Sequence, residues 1–275
     1  MRLATVRTDD GTRAARVEPG RYVDLDAADV GELLARSDWR GAAAAADGPS
    51  YDVDLGLAPL VPRPGKILCV GLNYRSHILE MGRDVPEHPT LFAKFADALI
   101  GATDDIELAP ASDAVDWEAE LTVVIGDTVR RADDESAAAA IAGFTVMNDV
   151  TMRDWQFRTK EWLQGKTFEA TTPLGPVLVT PDELPGGTAP SMTITATVNG
   201  EVMQKADTSD LVFGPVDLVK YASTIVTLRP GDVIATGTPG GVGHARKPPR
   251  FLEDGDVVVT QVDGIGRLEN TARRR

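Results

Sequence analysis

The sequence contains little cysteine and little histidine, and both shortages limit the chemistry open to it. The single cysteine, Cys69, excludes an internal disulfide, and its place in the apolar run Ile67–Val70 favours a small buried residue over a nucleophile. A Gly-x-Ser-x-Gly motif is also missing, which argues against a serine hydrolase. Because the only histidines are His77, His88 and His244, imidazole-based chemistry has few candidates.

Long apolar segments are absent as well. No run reaches the roughly 20 residues that a membrane span needs, and the first residues lack the apolar core of a secretory signal. Together with the single cysteine, these features predict a cytoplasmic protein with no membrane partner.

Basic residues are outnumbered, with 28 Lys and Arg against 42 Asp and Glu, for a formal net charge of -14. Nucleic-acid binding requires clustered positive charge, so this balance predicts no nucleic-acid partner. Acidity of this kind is mostly a matter of solubility. We therefore expect the partner of the chain to be a small molecule.

Two units are indicated along the chain, a small N-terminal domain over residues 1–60 and a larger domain over residues 66–270, joined by a segment rich in proline. Predicted strands are Ile67–Val70, Leu121–Ile125, Phe144–Met147, Val177–Val179, Met192–Val198, Val233–Ala235 and Val257–Val262. Predicted helices are Asp134–Ala142, Thr151–Phe157 and Val216–Thr224, with a further helical stretch near Gly31–Ala46. Strands and helices do not alternate regularly, which favours a β-rich α+β fold over a parallel βαβ sheet.

Two carboxylates stand one residue apart, Glu118 and Glu120, at the start of a strand that continues as an apolar run. Because side chains alternate along a strand, both should point the same way. A cation between them would offset their repulsion, so the pair indicates a site for Mg²⁺ or Mn²⁺. Asp149 follows another strand and could be a third ligand, although the spacing alone favours an N-terminal helix cap.

Further polar residues are open to two interpretations each. His77 and Glu80 are three residues apart, so on a helix they could form a general base with its carboxylate partner, or an ordinary surface pair. Lys166 has apolar neighbours and could meet an anion or extend into solvent. The glycine-rich segment that contains Thr238 could bind an anion or simply turn, and it does not have the spacing of a P-loop.

Five motifs, in their order along the chain, resemble the fumarylacetoacetate hydrolase family. They are Gly71–Tyr74 with His77, Glu80, Met81 and Gly82; Trp117–Leu121; Asn148–Thr151 with Arg153, Asp154 and Gln156; Gly165–Phe168; and Pro230–Asp232 with Thr236–Pro239. The resemblance implies the rolled β-sandwich of the fumarylacetoacetase fold, a homodimer, and a substrate with a 2-oxo acid unit. It further implies Mg²⁺ or Mn²⁺, with Ca²⁺ as a substitute, held by Glu118, Glu120 and Asp149. Relatives of this family hold substrate oxygens at the positions of Arg153, Gln156, Lys166 and Thr238, and the His77 segment is similar to a mobile lid.

The activity that this resemblance implies is hydrolysis of a carbon–carbon bond in an acylpyruvate-type 2,4-dioxo acid. His77, oriented by Glu80, would activate water, and Lys166 would stabilise the oxyanion. Decarboxylation of oxaloacetate and isomerisation of a hydroxymuconate-type diacid are the alternatives, because each passes through an enolate. A ligand-binding protein without catalysis is a further alternative, which the presence of both His77 and Glu80 disfavours.

Overall fold

Strands dominate the computed structural model, which describes residues 1–274. The strands are β1 (Arg2–Thr8), β2 (Gly11–Glu18), β3 (Arg21–Asp24), β4 (Ser50–Tyr51), β5 (Ile67–Gly71), β6 (Thr90–Lys94), β7 (Leu99–Ile100), β8 (Ile106–Leu108), β9 (Val115–Asp116), β10 (Ala119–Ile125), β11 (Ile141–Asn148), β12 (Thr151–Met152), β13 (Thr172–Val179), β14 (Thr193–Val198), β15 (Glu201–Asp207), β16 (Val233–Ala235), β17 (Val257–Val262) and β18 (Gly266–Arg274). The helices are α1 (Val30–Leu34), α2 (Trp39–Ala45), α3 (Arg75–Glu80), α4 (Asp134–Ala139), α5 (Arg153–Gln156), α6 (Leu163–Lys166) and α7 (Pro215–Ile225).

Two large sheets form the body of the protein. The first runs in the order β4-β3-β2-β1-β13-β11-β10-β16-β5-β6, with β7 beside β13, and the second in the order β15-β14-β17-β18-β8. Strands β10, β11 and β13 pack against β14, β17 and β18. The site described below is built around β10 and β11, in the middle of the first sheet.

The burial pattern shows why β10 can carry both core and site residues. Leu121, Val123 and Ile125 belong to the core shared with the second sheet, whereas Val124 belongs to a separate core with α1 and α2. Strands β14 and β17 alternate buried and more exposed residues, as expected when one face is covered. Strand β10 is buried along its whole length because both of its faces are covered.

The N-terminal strands share a sheet with the rest of the chain. Leu3 of β1 pairs with Leu178 of β13, so the first sheet runs without a break from β4 to β6. The helices α1 and α2 contribute Leu33 and Trp39 to the core that also contains Val124. Division of the chain into domains at residues 1–60 and 66–270 stays a prediction.

The prediction of a β-rich α+β fold is confirmed, and several predicted element bounds are corrected. The helix expected over Asp134–Ala142 ends at Ala139, because the chain then turns into β11. The helix expected over Thr151–Phe157 is reduced to α5, since Thr151 and Met152 pair with β9. The stretch expected near Gly31–Ala46 is two short helices. Within residues 1–274, no helix combines the length and apolarity that a membrane crossing requires.

Candidate active site

The carboxylates of Glu118 and Glu120 come together at the start of β10. Glu118 directly precedes the strand, and Glu120 is its second residue. The amide of Glu118 donates to Asn148 Oδ1 on the neighbouring strand β11, at 2.9 Å, which fixes the backbone beside the first carboxylate. Glu120 is buried and accepts a hydrogen bond of 2.8 Å from the backbone amide of Gly237. At Gly237 φ is +100°, and a Cβ would lie 2.8 Å from Val70 O, so this position requires glycine.

Asp149 directly follows β11 and completes a cluster of three carboxylates. Its ligand atoms and those of Glu118 and Glu120 all lie within 4.8 Å of one another. Asp149 does not cap a helix, because β12 separates it from α5, whose cap position is Met152. The capping interpretation is therefore wrong for this residue.

Two buried lysines contact Asp149, one at each oxygen of its carboxylate. Lys94 Nζ lies 2.7 Å from Asp149 Oδ1 and 3.1 Å from the carbonyl of Val150. Lys166 Nζ lies 2.8 Å from Asp149 Oδ2 and 2.8 Å from Glu118 Oε2. Burial alone would raise the pKa of Asp149, but the two ammonium groups outweigh it and hold the pKa below its usual value. Lys166 is thus buried in the cluster and does not extend into solvent.

The buried charges around the cluster do not balance. Four carboxylates and three cations are buried there: Asp116, Glu118, Glu120 and Asp149, with Lys94, Arg153 and Lys166. Within residues 1–274, Glu120 is the member of this group that forms no ion pair. Burial and then the charges of Asp149 and Glu118 raise the pKa of Glu120 well above its usual value. Three clustered carboxylates, one of which has no cationic partner among the described residues, fit a divalent cation held by oxygen ligands.

A cavity of about 320 Å³ opens beside this cluster. Six of the predicted site residues line it: His77, Glu118, Arg153, Gln156, Lys166 and Thr238. Glu120 and Asp149 are buried and do not line the cavity. The sequence-predicted residues therefore converge on one place, although Glu80 does not line the cavity.

His77 lies on the short helix α3 at the side of the cavity. Its Nδ1 and Glu80 Oε2 both face Gly240, where a Cβ would lie 3.1 Å and 3.4 Å from them. No hydrogen bond joins the two side chains in the described part of the chain. Burial lowers the pKa of His77, and the Glu80 carboxylate opposes that shift only in part. The imidazole is therefore mostly neutral at pH 7 and can accept a proton.

Arg153 and Gln156 lie on α5, one turn apart, and contact each other. Arg153 Nη1 donates to Gln156 Oε1 at 2.9 Å, and its Nε donates to Asp116 Oδ2 at 2.7 Å. Its Nη2 lies 2.6 Å from Glu118 Oε1. Gly165 on α6 packs directly on Gln156: a Cβ at position 165 would lie only 2.4 Å from the backbone nitrogen of Gln156. Protein acceptors therefore already hold Arg153 in place against the cavity.

Thr238 enters the cavity from the glycine-rich segment after β16, and Gln204 of the second sheet orients it. Gln204 Nε2 donates to Thr238 Oγ1 and to the carbonyl of Pro239, both at 2.8 Å, and Gln204 Oε1 accepts from the Ala119 amide at 2.9 Å. Because the Thr238 oxygen accepts from Gln204, its own proton is free to donate into the cavity.

Three buried residues of this site were missed by the sequence analysis. Asp116 accepts from the amides of Gly243 and His244 as well as from Arg153, and the alternating acids at 116, 118 and 120 were the available signal. Lys94 ends an apolar strand, where a lone lysine was a weak hint. Gln204 gave no signal, because its contacts join β15 to residues far away in the sequence.

Comparisons with known proteins show which families, sequences and structures this chain is similar to. The family model described as "Fumarylacetoacetate (FAA) hydrolase C-terminal" matches residues 66–273. The human protein "Oxaloacetate tautomerase FAHD2A, mitochondrial" is 48% identical over 216 residues, which is 78% of this chain and 68% of that protein. Fumarylacetoacetate hydrolase from Exiguobacterium antarcticum superposes with a TM-score of 0.89 at 34% identity, over 100% of both chains. Maleylpyruvate hydrolase from Sphingobium sp. SYK-6, solved with a manganese(II) ion and pyruvate, gives 0.81 at 29% identity, over 100% of this chain and 99% of that one.

One prediction is contradicted by these comparisons. We predicted a cytoplasmic protein, and the bovine, human and rat relatives at 46–48% identity are named as mitochondrial. The prediction is wrong because its evidence was too general: a single cysteine and first residues without an apolar run do not distinguish a cytoplasmic from a mitochondrial protein. The homodimer stays a prediction.

Proposed function

The chain belongs to the fumarylacetoacetate hydrolase family, and from that premise we propose that it is a divalent-metal-dependent enzyme that moves a proton at the carbon beside the ketone of a 2-oxo acid. The specific reaction proposed is interconversion of the keto and enol forms of oxaloacetate. The observation that carries the proposal is the cluster of three carboxylates with Lys166, at the wall of a cavity that His77 also lines. The human relative that is named as an oxaloacetate tautomerase supports this choice over the carbon–carbon hydrolysis that we expected first.

Glu118, Glu120 and Asp149 would hold the metal, which is Mg²⁺ or Mn²⁺ by the chemistry of its ligands. When bound, such a cation supplies Lewis acidity that stabilises negative charge developing on a substrate oxygen. With all four carboxylates ionised, a charge of +2 would change the formal charge of the buried group from -1 to +1. That balance suits an anionic substrate.

His77 is the group that we assign to the proton. Its neutral imidazole removes a proton from C3 of the keto form and returns it to the oxygen of the enolate, so no proton is consumed overall. Glu80 lies on the same helix and favours the imidazolium that forms in between. For this role the base must be neutral before the reaction, and burial favours the neutral imidazole.

Lys166 and Thr238 supply positive charge and a proton donor. Burial would lower the pKa of Lys166, but the Asp149 and Glu118 carboxylates outweigh it and raise the pKa above its usual value, so the ammonium stays charged. It can stabilise negative charge on the enolate oxygen without giving up its proton. Thr238 donates its hydroxyl proton to a substrate oxygen, while Arg153 and Gln156 hold the carboxylate next to the ketone.

The three candidate reactions separate in one set of assays. The protein is loaded with Mg²⁺ or Mn²⁺ and given oxaloacetate, with the enol followed by absorbance and pyruvate by a coupled assay, and is then given a series of acylpyruvates. We expect the keto–enol interconversion to be the fastest. Since free metal ions also promote these reactions, Glu120→Gln with the same total metal is the matched control. If the protein cleaves acylpyruvates but equilibrates oxaloacetate no faster than the Glu120→Gln control, hydrolysis is the better assignment.

A further inference from the structure

Two basic residues, Arg83 and His244, line the cavity and have no part in the reaction proposed above. Within residues 1–274, the Arg83 side chain forms neither an ion pair nor a hydrogen bond. The other two strong cations of the cavity wall, Arg153 and Lys166, are already paired with carboxylates. Arg83 is therefore a charge with no protein partner, at the edge of a pocket in a chain whose net charge is -14.

The backbone places Arg83 in a segment that has room to move. Its amide donates to the carbonyl of Ile78 at 3.2 Å, so it follows directly on the helix α3 that carries His77. The preceding residue, Gly82, has a φ of +66° and open space around its Cβ position. Further along, His88 stacks on Tyr221 of α7 with ring centroids 6.2 Å apart. Arg83 thus lies between a glycine that can act as a hinge and one aromatic contact.

The charge of Arg83 influences His77, the residue assigned to the proton transfer. It is one of the groups that lower the pKa of His77, after burial and against the opposing effect of Glu80. Phe92, Phe157 and Trp162 also line the cavity and offer no charge to a ligand. Among the arginines and lysines that line the cavity, Arg83 is the one without a carboxylate partner in residues 1–274, so it is available to a second carboxylate of a ligand held at Arg153.

We infer that Arg83 binds the second carboxylate of a dicarboxylic 2-oxo acid and makes the site selective for such acids over 2-oxo acids with an uncharged tail. This inference rests on the proposed function for the identity of the carboxylate-bearing substrate. The binding energy of a group that does not react is thereby used to distinguish between substrates.

A pair of inert ligands tests the inference without turnover. N-oxalylglycine carries a 2-oxo-acid-like oxamate group and a remote carboxylate, and its carboxamide differs only in that remote group. Calorimetry on the Mn²⁺-loaded protein should show the acid binding about 10- to 100-fold more tightly than the amide, which is the range expected for a charge-assisted hydrogen bond. In Arg83→Gln the preference should fall to near one, with the affinity for the amide unchanged.

Arg75→Gln is the matched control, because Arg75 is exposed on α3, the helix that precedes Arg83, and does not line the cavity. It should keep the full preference, and the unchanged amide affinity of Arg83→Gln shows that this variant is folded. The inference is overturned if the Arg83→Gln variant still prefers the acid to the amide. It is also overturned if the wild-type protein binds the acid and the amide equally. Failure of the proposed function has a different signature, namely a wild-type protein that discriminates between the two ligands and does not accelerate equilibration of oxaloacetate.

Discussion

Without a divalent metal, the Glu120→Gln variant should be at least as stable as the wild type. When the metal is added, the variant should be the less stable of the two. Glu120 is buried, receives one hydrogen bond, from Gly237, and forms no ion pair in the described part of the chain. Its pKa in the folded state is raised, so folding disfavours the ionised carboxylate. The penalty is absent below the unfolded-state pKa and grows as the pH rises above it. At pH 7 without metal, the neutral amide should therefore be at least as stable as the wild type.

Metal changes the outcome because it binds the folded state. At a free concentration 100 times the dissociation constant, a ligand stabilises the folded state by about 2.7 kcal/mol. For a chain of 275 residues the unfolding entropy near the midpoint is about 0.6 kcal/mol per kelvin, so the melting temperature should rise by about 5 °C. Glu120→Gln lacks one of three charged ligands and should show little of this rise.

The assay is a thermal melt in chelator and again in Mg²⁺ or Mn²⁺, for wild type, Glu120→Gln and the exposed control Glu253→Gln. The control should follow the wild type in both conditions. If Glu120→Gln melts well below the wild type in chelator, the carboxylate is compensated by something other than a metal. If it gains as much as the wild type from metal, Glu120 is not a ligand.

Four further outcomes follow from the same contacts. His77→Ala should slow equilibration of oxaloacetate about 10²- to 10⁴-fold while metal affinity, measured by calorimetry, is unchanged, and an unchanged rate would remove His77 as the base. Burial lowers the pKa of His77, and its neutral form accepts the proton. The value of kcat/KM should therefore rise with pH and become constant at a pH below the usual pKa of histidine. A plateau reached only above that pKa would contradict the assignment. Hydrogen exchange over Met81–Pro89 should be fast and should slow when oxalate and Mg²⁺ are added, and equal rates would argue against a lid. Gln204→Leu should raise KM more than it lowers the metal affinity, because Thr238 loses the donor that orients it, and wild-type kinetics would show that this contact is dispensable.

The part of the site that could be predicted from the sequence is the part that is local in the chain. Glu118 and Glu120 share one short segment, and the period of a strand brings their carboxylates together. Contacts that cross the fold could not be predicted in this way. Lys94 at the end of β6 contacts Asp149 after β11, although the two strands are not neighbours in the first sheet, and no short motif encodes such a contact.

The same distinction explains the errors in the fold. The alanine-rich stretch after Asp134 favours a helix through local propensity, but Ile141 begins a strand because β10 and β13 supply hydrogen-bond partners on both sides. Strand β13 starts at Thr172, five residues before the predicted strand, although Pro173 and Pro176 argue locally against it. In both places tertiary pairing outweighs the preference of the segment.

Gly71 shows how a missing side chain can determine the width of a cavity. A Cβ at this position would lie 2.5 Å from the ring of Trp162, and Phe92 contacts the same ring with its centroid 5.4 Å away. Any atom added at position 71 must displace the indole, which is part of the cavity wall. A conventional alanine scan removes atoms and would misjudge such a position, where the substitution adds bulk. A small library of Gly, Ala and Ser at position 71 would instead vary the size of acceptable substrates in steps of one or two atoms, while every group that carries charge or a proton stays as it is.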